Sequence, residues 1–119
     1  MHHCAICQAS LEVARLTCPS CRVSLEGRFR LPRLARLSAD EQRLAERVLL
    51  AGGNLKAVAQ ELGISYPTLR KRLDVLRRTL GELQQSDRDA EDALLKAVEN
   101  DEIAAEEAAR LIEELNGGA

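Results

Sequence analysis

The sequence predicts a mostly α-helical protein headed by a small cysteine-rich module, and three observations carry that expectation. Aromatic residues make up 2% of the chain, Phe29 and Tyr66 alone, so any core is built from Leu, Val, Ile and Ala, the residues of packed helices. From Ala39 onward apolar residues recur at helical spacing between capping residues and glycines. Before that point the chain is turn-rich and holds all four cysteines. A chain of 119 residues punctuated in this way is a string of small modules, and modules of that size commonly draw on a metal, disulfides or a partner chain for stability.

The first module spans residues 1–33. Cys4-Ala-Ile-Cys7 and Cys18-Pro-Ser-Cys21 are two C-x-x-C knuckles separated by ten residues, and the alternating stretch Leu11 to Leu16 between them suits a strand. Two residues between each pair let one tight turn deliver both sulfurs, and four thiolates complete the tetrahedron that Zn²⁺ prefers. Disulfides or a redox dithiol are the alternatives. No segment resembles a signal peptide or a membrane span, the longest unbroken apolar run being Val48 to Ala51, so a cytoplasmic location is expected. In that reducing compartment paired cysteines are more often metal ligands. With Cys4, Cys7, Cys18 and Cys21 all engaged, one Zn²⁺ per chain has no open coordination position, and its binding energy serves folding. His2 and His3 are bystanders. Gln8 and Arg22 follow the second cysteine of each knuckle, where many ribbons carry glycine.

Residues 27–37 form a basic connector expected to pack Phe29, Leu31 and Leu34 on a neighbour. Ser38-Ala-Asp-Glu41 has the form of a capping box, in which serine and glutamate satisfy each other's free backbone donors. A helix follows from about Ala39 to Ala51, with Leu44, Val48 and Ala51 on one face, and Gly52-Gly53 supplies its left-handed exit. Asn54 caps a second helix, Leu55 to Leu62, ended by Gly63. Ser65 or Tyr66 begins a third, with Pro67 in its first turn where the missing N–H costs nothing. Gly81 is expected to stop it. Ser86-Asp-Arg-Asp then starts another helix, with Ala93, Leu94, Ala97 and Val98 on one face. After a break at Glu99-Asn100-Asp101, a last helix covers about Ala105 to Leu115. Its Ala108, Leu111, Ile112 and Leu115 make a narrow apolar stripe, so residues 86–116 are expected to form an acidic helical hairpin.

The segment Gly53 to Leu73, inside a module spanning residues 34–81, carries a second pattern. A small residue in one helix (Ala59), a glycine at the turn (Gly63), an apolar residue after it (Ile64) and anchors in the next helix (Leu69, Leu73) describe two helices crossing at close range, a helix-turn-helix. Leu69, Leu73, Leu76 and Leu80 share one arc of the later helix. Lys71 and Arg78 lie opposite it, Arg70 and Arg77 on one flank, Thr68 and Arg72 on the other. The start of such a helix enters the major groove of double-stranded DNA, which assigns Pro67, Thr68, Lys71 and Arg72 to base edges, with Tyr66 beside them. Arg70, Arg77, Arg78 and Lys56 then suit phosphates. Charge is distributed accordingly. Residues 1–33 carry five arginines against Glu12 and Glu26, and residues 34–81 nine basic against five acidic residues. Residues 82–119 reverse the sign, with three basic and twelve acidic residues, an asymmetry that fits a nucleic-acid-binding half with an acidic tail.

With both motifs in place, the chain resembles the bacterial and archaeal family described as domain of unknown function DUF2089, a zinc ribbon fused to a helix-turn-helix. The resemblance rests on Cys4-x-x-Cys7, Leu11 to Leu16, Cys18-Pro-x-Cys21, Leu25-Glu-Gly-Arg-Phe29, Leu31 to Ser38, and Gly53-Asn-Leu-Lys56 through Gly63-Ile-Ser-Tyr-Pro-Thr-Leu-Arg70. The last of these also looks like a helix-turn-helix of the Fis type. Residues 90–115, with Ile103-Ala-Ala-Glu-Glu-Ala108, look like a SHOCT-like two-helix oligomerisation or interaction module. Ala104 replaces the usual capping threonine there, leaving Asp101 as a substitute cap. The leading functional expectation is a zinc-containing transcriptional regulator that binds DNA, homo-oligomeric through its C-terminal helices. The alternative is a protein-interaction adaptor docking on RNA polymerase or another assembly. An enzyme is not expected, since the sequence offers no His, Ser or Asp constellation, no phosphate loop and no open metal site.

Overall fold

The structure, a computed structural model, describes residues 3–115. His2 and residue 116, the last residue expected in the C-terminal module, lie outside them. Among the described residues the elements are two strands, β1 (Val13–Thr17) and β2 (Ser24–Phe29), a 3-10 turn (Arg33–Arg36), and four helices, α1 (Ala39–Leu50), α2 (Leu55–Leu62), α3 (Tyr66–Glu99) and α4 (Ala105–Leu115). The mostly α architecture with a small N-terminal ribbon is the one the sequence predicts. The chain forms two compact units: one joins everything up to Pro32 with the chain from Asp87 onward, and the other is Arg33–Ser86. None of the described helices is long and apolar enough to cross a membrane.

In the first unit β1 and β2 form an antiparallel pair in the register Arg15↔Glu26, Leu16↔Leu25 and Thr17↔Ser24, with an irregularity between Val13 and Arg15. The expected strand therefore sits two residues later than Leu11. Its partner absorbs the start of the supposed connector, because the Cys18–Cys21 turn reverses the chain and lets residues 24–29 pair back on β1. Phe29 lays its ring against Gly27, where an added Cβ would stand 3.3 Å from it. From the same unit, Arg28 binds Glu12 through two hydrogen bonds of 3.1 and 3.2 Å. Arg30 donates to Asp87 at 3.2 Å, where the carboxylate is 5% exposed. Both arginines line a cavity of about 400 Å³ with Ala93, Leu94 and Leu111, so the acidic end of the chain shares one packed unit with the ribbon.

The second unit is centred on Val58, Ala59 and Leu69, with Leu44, Val48, Leu55, Ile64 and Leu73 packed around them. The connector contributes Leu37, which is 2% exposed, whereas Leu34 is 55% exposed and Phe29 36%; the anchor lies three residues beyond the expected Leu34. Gln42 fixes this arrangement, its amide donating to the carbonyls of Ala35 and Leu37 at 3.1 and 2.9 Å. Ser38 caps α1 as predicted, its hydroxyl accepting from the Glu41 N–H at 3.2 Å. The reciprocal half of the capping box is not made, and Glu41 keeps Oε2 buried without a hydrogen-bond partner.

The largest departure from expectation is α3, one helix of 34 residues that runs through both Gly81 and Ser86. A glycine stops a helix by taking a left-handed backbone, and Gly81 does not: among the described residues the left-handed glycines are Gly52, Gly53 and Gly63. As a helix-interior residue it costs only about 1 kcal/mol relative to alanine, and Glu82-Leu-Gln-Gln85 after it are good helix formers. Helix α3 ends instead at Glu99, and Asp101, two residues on, has φ 56°. The Asp101 and Glu102 N–H groups donate to the carbonyls of Val98 and Ala97 at 3.1 and 2.8 Å, the paired bonds of a Schellman terminus. Asp101 thus closes α3 rather than capping α4.

Candidate metal ligands and nucleic-acid interface

The two cysteine knuckles have the same backbone construction. In the first, the Gln8 N–H donates to the Cys4 carbonyl at 2.9 Å and the Cys4 N–H to the Ala9 carbonyl at 2.8 Å. In the second, Arg22 donates to Cys18 and Cys18 to Val23 at the same two distances. Gln8 and Arg22 close the turns with φ of 61° and 66°, the left-handed region that glycine occupies without a side-chain clash. The departure from glycine seen in the sequence thus changes the residue and keeps the turn.

Backbone donors converge on the first sulfur of each pair. The Cys4 thiol is held below its ordinary value, first by the backbone N–H of Cys7, then by that of Ile6 and by the Cys7 side chain; the Ile6 N–H lies 3.4 Å from Sγ. Cys18 is lowered in the same way by the backbone N–H of Cys21, then that of Ser20 and the Cys21 side chain. Such hydrogen bonds favour the thiolate, the form that binds metal. The donor chemistry fits zinc. The structure brings the cysteines together two by two, and among the described residues no three His, Cys, Asp or Glu side chains form one metal-holding group. His3 is exposed and makes an isolated bridge with Ser10.

Helix α2 ends where the sequence places it. Asn54 accepts from the Ala57 N–H at 3.2 Å, and Gly63, with φ 66°, donates to the Gln60 carbonyl while Ile64 donates to Ala59. This terminus turns the chain sharply enough for Leu69, fully buried, to pack on Val58 and Ala59. Ser65 opens α3 by accepting from the Thr68 N–H at 3.3 Å, and its hydroxyl also bonds the Thr68 hydroxyl at 2.8 Å. The leucine arc is inward as predicted, with Leu69 and Leu76 at 0% and 5% exposure.

All nine residues assigned to DNA are exposed: Lys56 on α2, and Tyr66, Pro67, Thr68, Arg70, Lys71, Arg72, Arg77 and Arg78 on α3. Arg77 lies 3.9 Å from Asp74, a loose, solvent-exposed pairing that leaves its charge available. Lys71 and Arg72 have a further setting. Together with Val75 they form one side of a cleft of about 650 Å³ against α1. Arg43 and Arg47 stand on the α1 side of that cleft, with Leu44 between them. Sequence reasoning missed these two cations as companions of Lys71 and Arg72. Their spacing of four on α1 marks a shared face, but only packing reveals which element that face meets.

No curated protein and no solved structure matches the chain. Two family models do. One, described as the DUF2089 zinc ribbon, matches residues 4–35; the other, the helix-turn-helix domain of unknown function DUF2089, matches residues 37–83. The first covers both knuckles and the β1–β2 hairpin, and the second covers α1, α2 and the start of α3. The chain therefore belongs to the DUF2089 family and carries that family's zinc ribbon and helix-turn-helix, a pairing that points to nucleic-acid binding.

Proposed function

We propose that this chain is a transcriptional regulator that binds double-stranded DNA through its helix-turn-helix, with one structural Zn²⁺ held by Cys4, Cys7, Cys18 and Cys21. The observation that carries the proposal is the start of α3: a left-handed glycine turn, a capped first turn and a run of exposed cations on the surface opposite a buried leucine arc. Lys71, Thr68 and Arg72, near the helix start, meet base edges, while Arg70, Arg77, Arg78 and Lys56 meet phosphates. Zinc supplies a cross-link between the two knuckles and no reaction step. The chain binds and does not catalyse. Self-association is assigned to the C-terminal helices, supported by Leu95, a large apolar residue left 48% exposed.

The test pairs two substitutions on a DNA site selected from a random pool. Lys71→Ala weakens binding to that site and alters base preference, a discrimination of about 1–3 kcal/mol. Arg78→Ala weakens all duplexes evenly and flattens the salt dependence. If both variants behave alike on selected and scrambled duplexes, α3 does not read bases. A second reading, an adaptor that docks on RNA polymerase or another assembly, is favoured by the ribbon's apolar surface, where Ile6, Val23 and Leu25 are 94%, 57% and 60% exposed. DNA binding that is absent at low salt would put that reading first.

A further inference from the structure

We propose that the cleft between α1 and α3 is a binding site for a small amphipathic anion, a molecule with a carboxylate or phosphate head and an apolar body. The volume of about 650 Å³ lies within the range of about 300–1,000 Å³ typical of small-molecule sites. Its apolar lining comes from three helices, Leu44 of α1, Leu62 of α2 and Val75 of α3. Val75 is 53% exposed, apolar surface that an apolar body would cover.

The charges around that lining select the head group. Four cations face two acids, Asp40 and Glu41, so the rim is net positive. Two of the cations are already engaged: Arg43 with Asp40 at 3.2 Å and Arg47 with Glu61 at 3.1 Å. Lys71 and Arg72, on successive residues of α3, form no ion pair among the described residues. Together they offer an ammonium and a planar guanidinium to one anion, donors suited to carboxylate or phosphate oxygens. A cationic ligand would face Lys71 and Arg72 and gain only Glu41, since Asp40 is paired with Arg43.

The site is defined by the cleft alone, but its consequence rests on the proposed DNA binding. An anion held by Lys71 and Arg72 occupies two of the side chains assigned to base edges. Ligand and duplex then compete, and each lowers the affinity of the other by the same factor. A regulator built in this way releases DNA when the anion accumulates.

Calorimetric titration of the zinc-loaded full chain, without DNA, tests the site directly. The probes are decanoate and monodecyl phosphate, each below its micellar concentration, with decylamine as the cationic control. At least one anion is expected to bind saturably at one per chain, the tighter of the two identifying the head group, and decylamine at least tenfold more weakly. Lys71→Ala with Arg72→Ala should weaken the anion at least tenfold. Val75→Trp, which fills the cleft from an exposed position, should do the same without removing charge, whereas Arg78→Ala should leave binding unchanged. The proposal is overturned if neither anion binds, if decylamine matches them, or if Val75→Trp binds as wild type does while circular dichroism shows it folded. Repeating the titration in reverse, duplex binding with and without saturating anion, reads the competition. Loss of DNA binding in every condition would remove only the regulatory consequence.

Discussion

Replacing Gly81 with alanine separates two accounts of the middle of the chain that differ in the sign of the effect. In the structure Gly81 is a helix-interior residue, and a Cβ added there has no neighbour within 4 Å. Alanine should then stabilise the protein by about 1 kcal/mol, the helix-propensity difference between the two residues. Were Gly81 the left-handed end of a shorter helix, alanine would cost about 1 kcal/mol in backbone strain, so the accounts are separated by about 2 kcal/mol. Gly63→Ala is the internal control, because Gly63 has φ 66° and must lose stability by the same strain. Urea and thermal melts followed by far-ultraviolet circular dichroism read both variants. A gain of about 1 kcal/mol raises the midpoint of a domain of this size by about 4 °C. A fall for Gly81→Ala parallel to that for Gly63→Ala would refute a continuous α3.

Three further perturbations follow from the ribbon and the surfaces around it. Arg22→Gly relieves a side chain at φ 66° and should raise the melting temperature of the zinc-loaded protein, by a net of about 0.5–1 kcal/mol once glycine's entropy is counted; an unchanged or lower midpoint would show that the arginine side chain compensates for its backbone. Arg30→Met removes a 3.2 Å partner from the nearly buried Asp87 and should cost about 1–2 kcal/mol in urea denaturation, since Arg30 is itself partly solvated and its charge partly screened; a neutral result would mean that the pair contributes nothing net. Metal analysis of protein purified without added zinc should give one zinc per chain, and chelation should abolish the chemical-shift dispersion of residues 4–29. Two disulfides and no metal would overturn the metal assignment.

Much of this molecule is legible in the sequence because its punctuation is local. Asn54, Gly63 and Pro67 each act through their own backbone, and α2 falls on Leu55–Leu62 as expected. Leu69 and Leu76 repeat at helical spacing, and their burial follows from that spacing alone. The errors arise where a local signal has to be weighed against longer-range continuity. Gly81 and Ser86 carry stop and start chemistry, yet helix-forming residues between them hold one helix together. Asp101 has the chemistry of a cap for either helix, and the paired carbonyls of Val98 and Ala97 decide in favour of the one before it. Strand β2 escaped notice because it exists only through pairing with β1. The matching turns of the two knuckles are likewise visible in their cysteine spacing, whereas the cleft that joins Arg43 and Arg47 to Lys71 and Arg72 depends on how α1 meets α3, which no single segment encodes.

The measurement that bears most directly on the proposed function is an equilibrium titration of zinc-loaded protein against a labelled random-sequence duplex over a series of salt concentrations. Binding through the exposed cations of α2 and α3 predicts saturable association at low salt that weakens linearly on a logarithmic plot. Phosphate contacts from Lys56, Arg70, Arg77 and Arg78 would give a slope of about −3 to −4. A chain that shows no saturable association at low salt, or one whose affinity does not change with salt, contradicts the assignment of this surface to DNA.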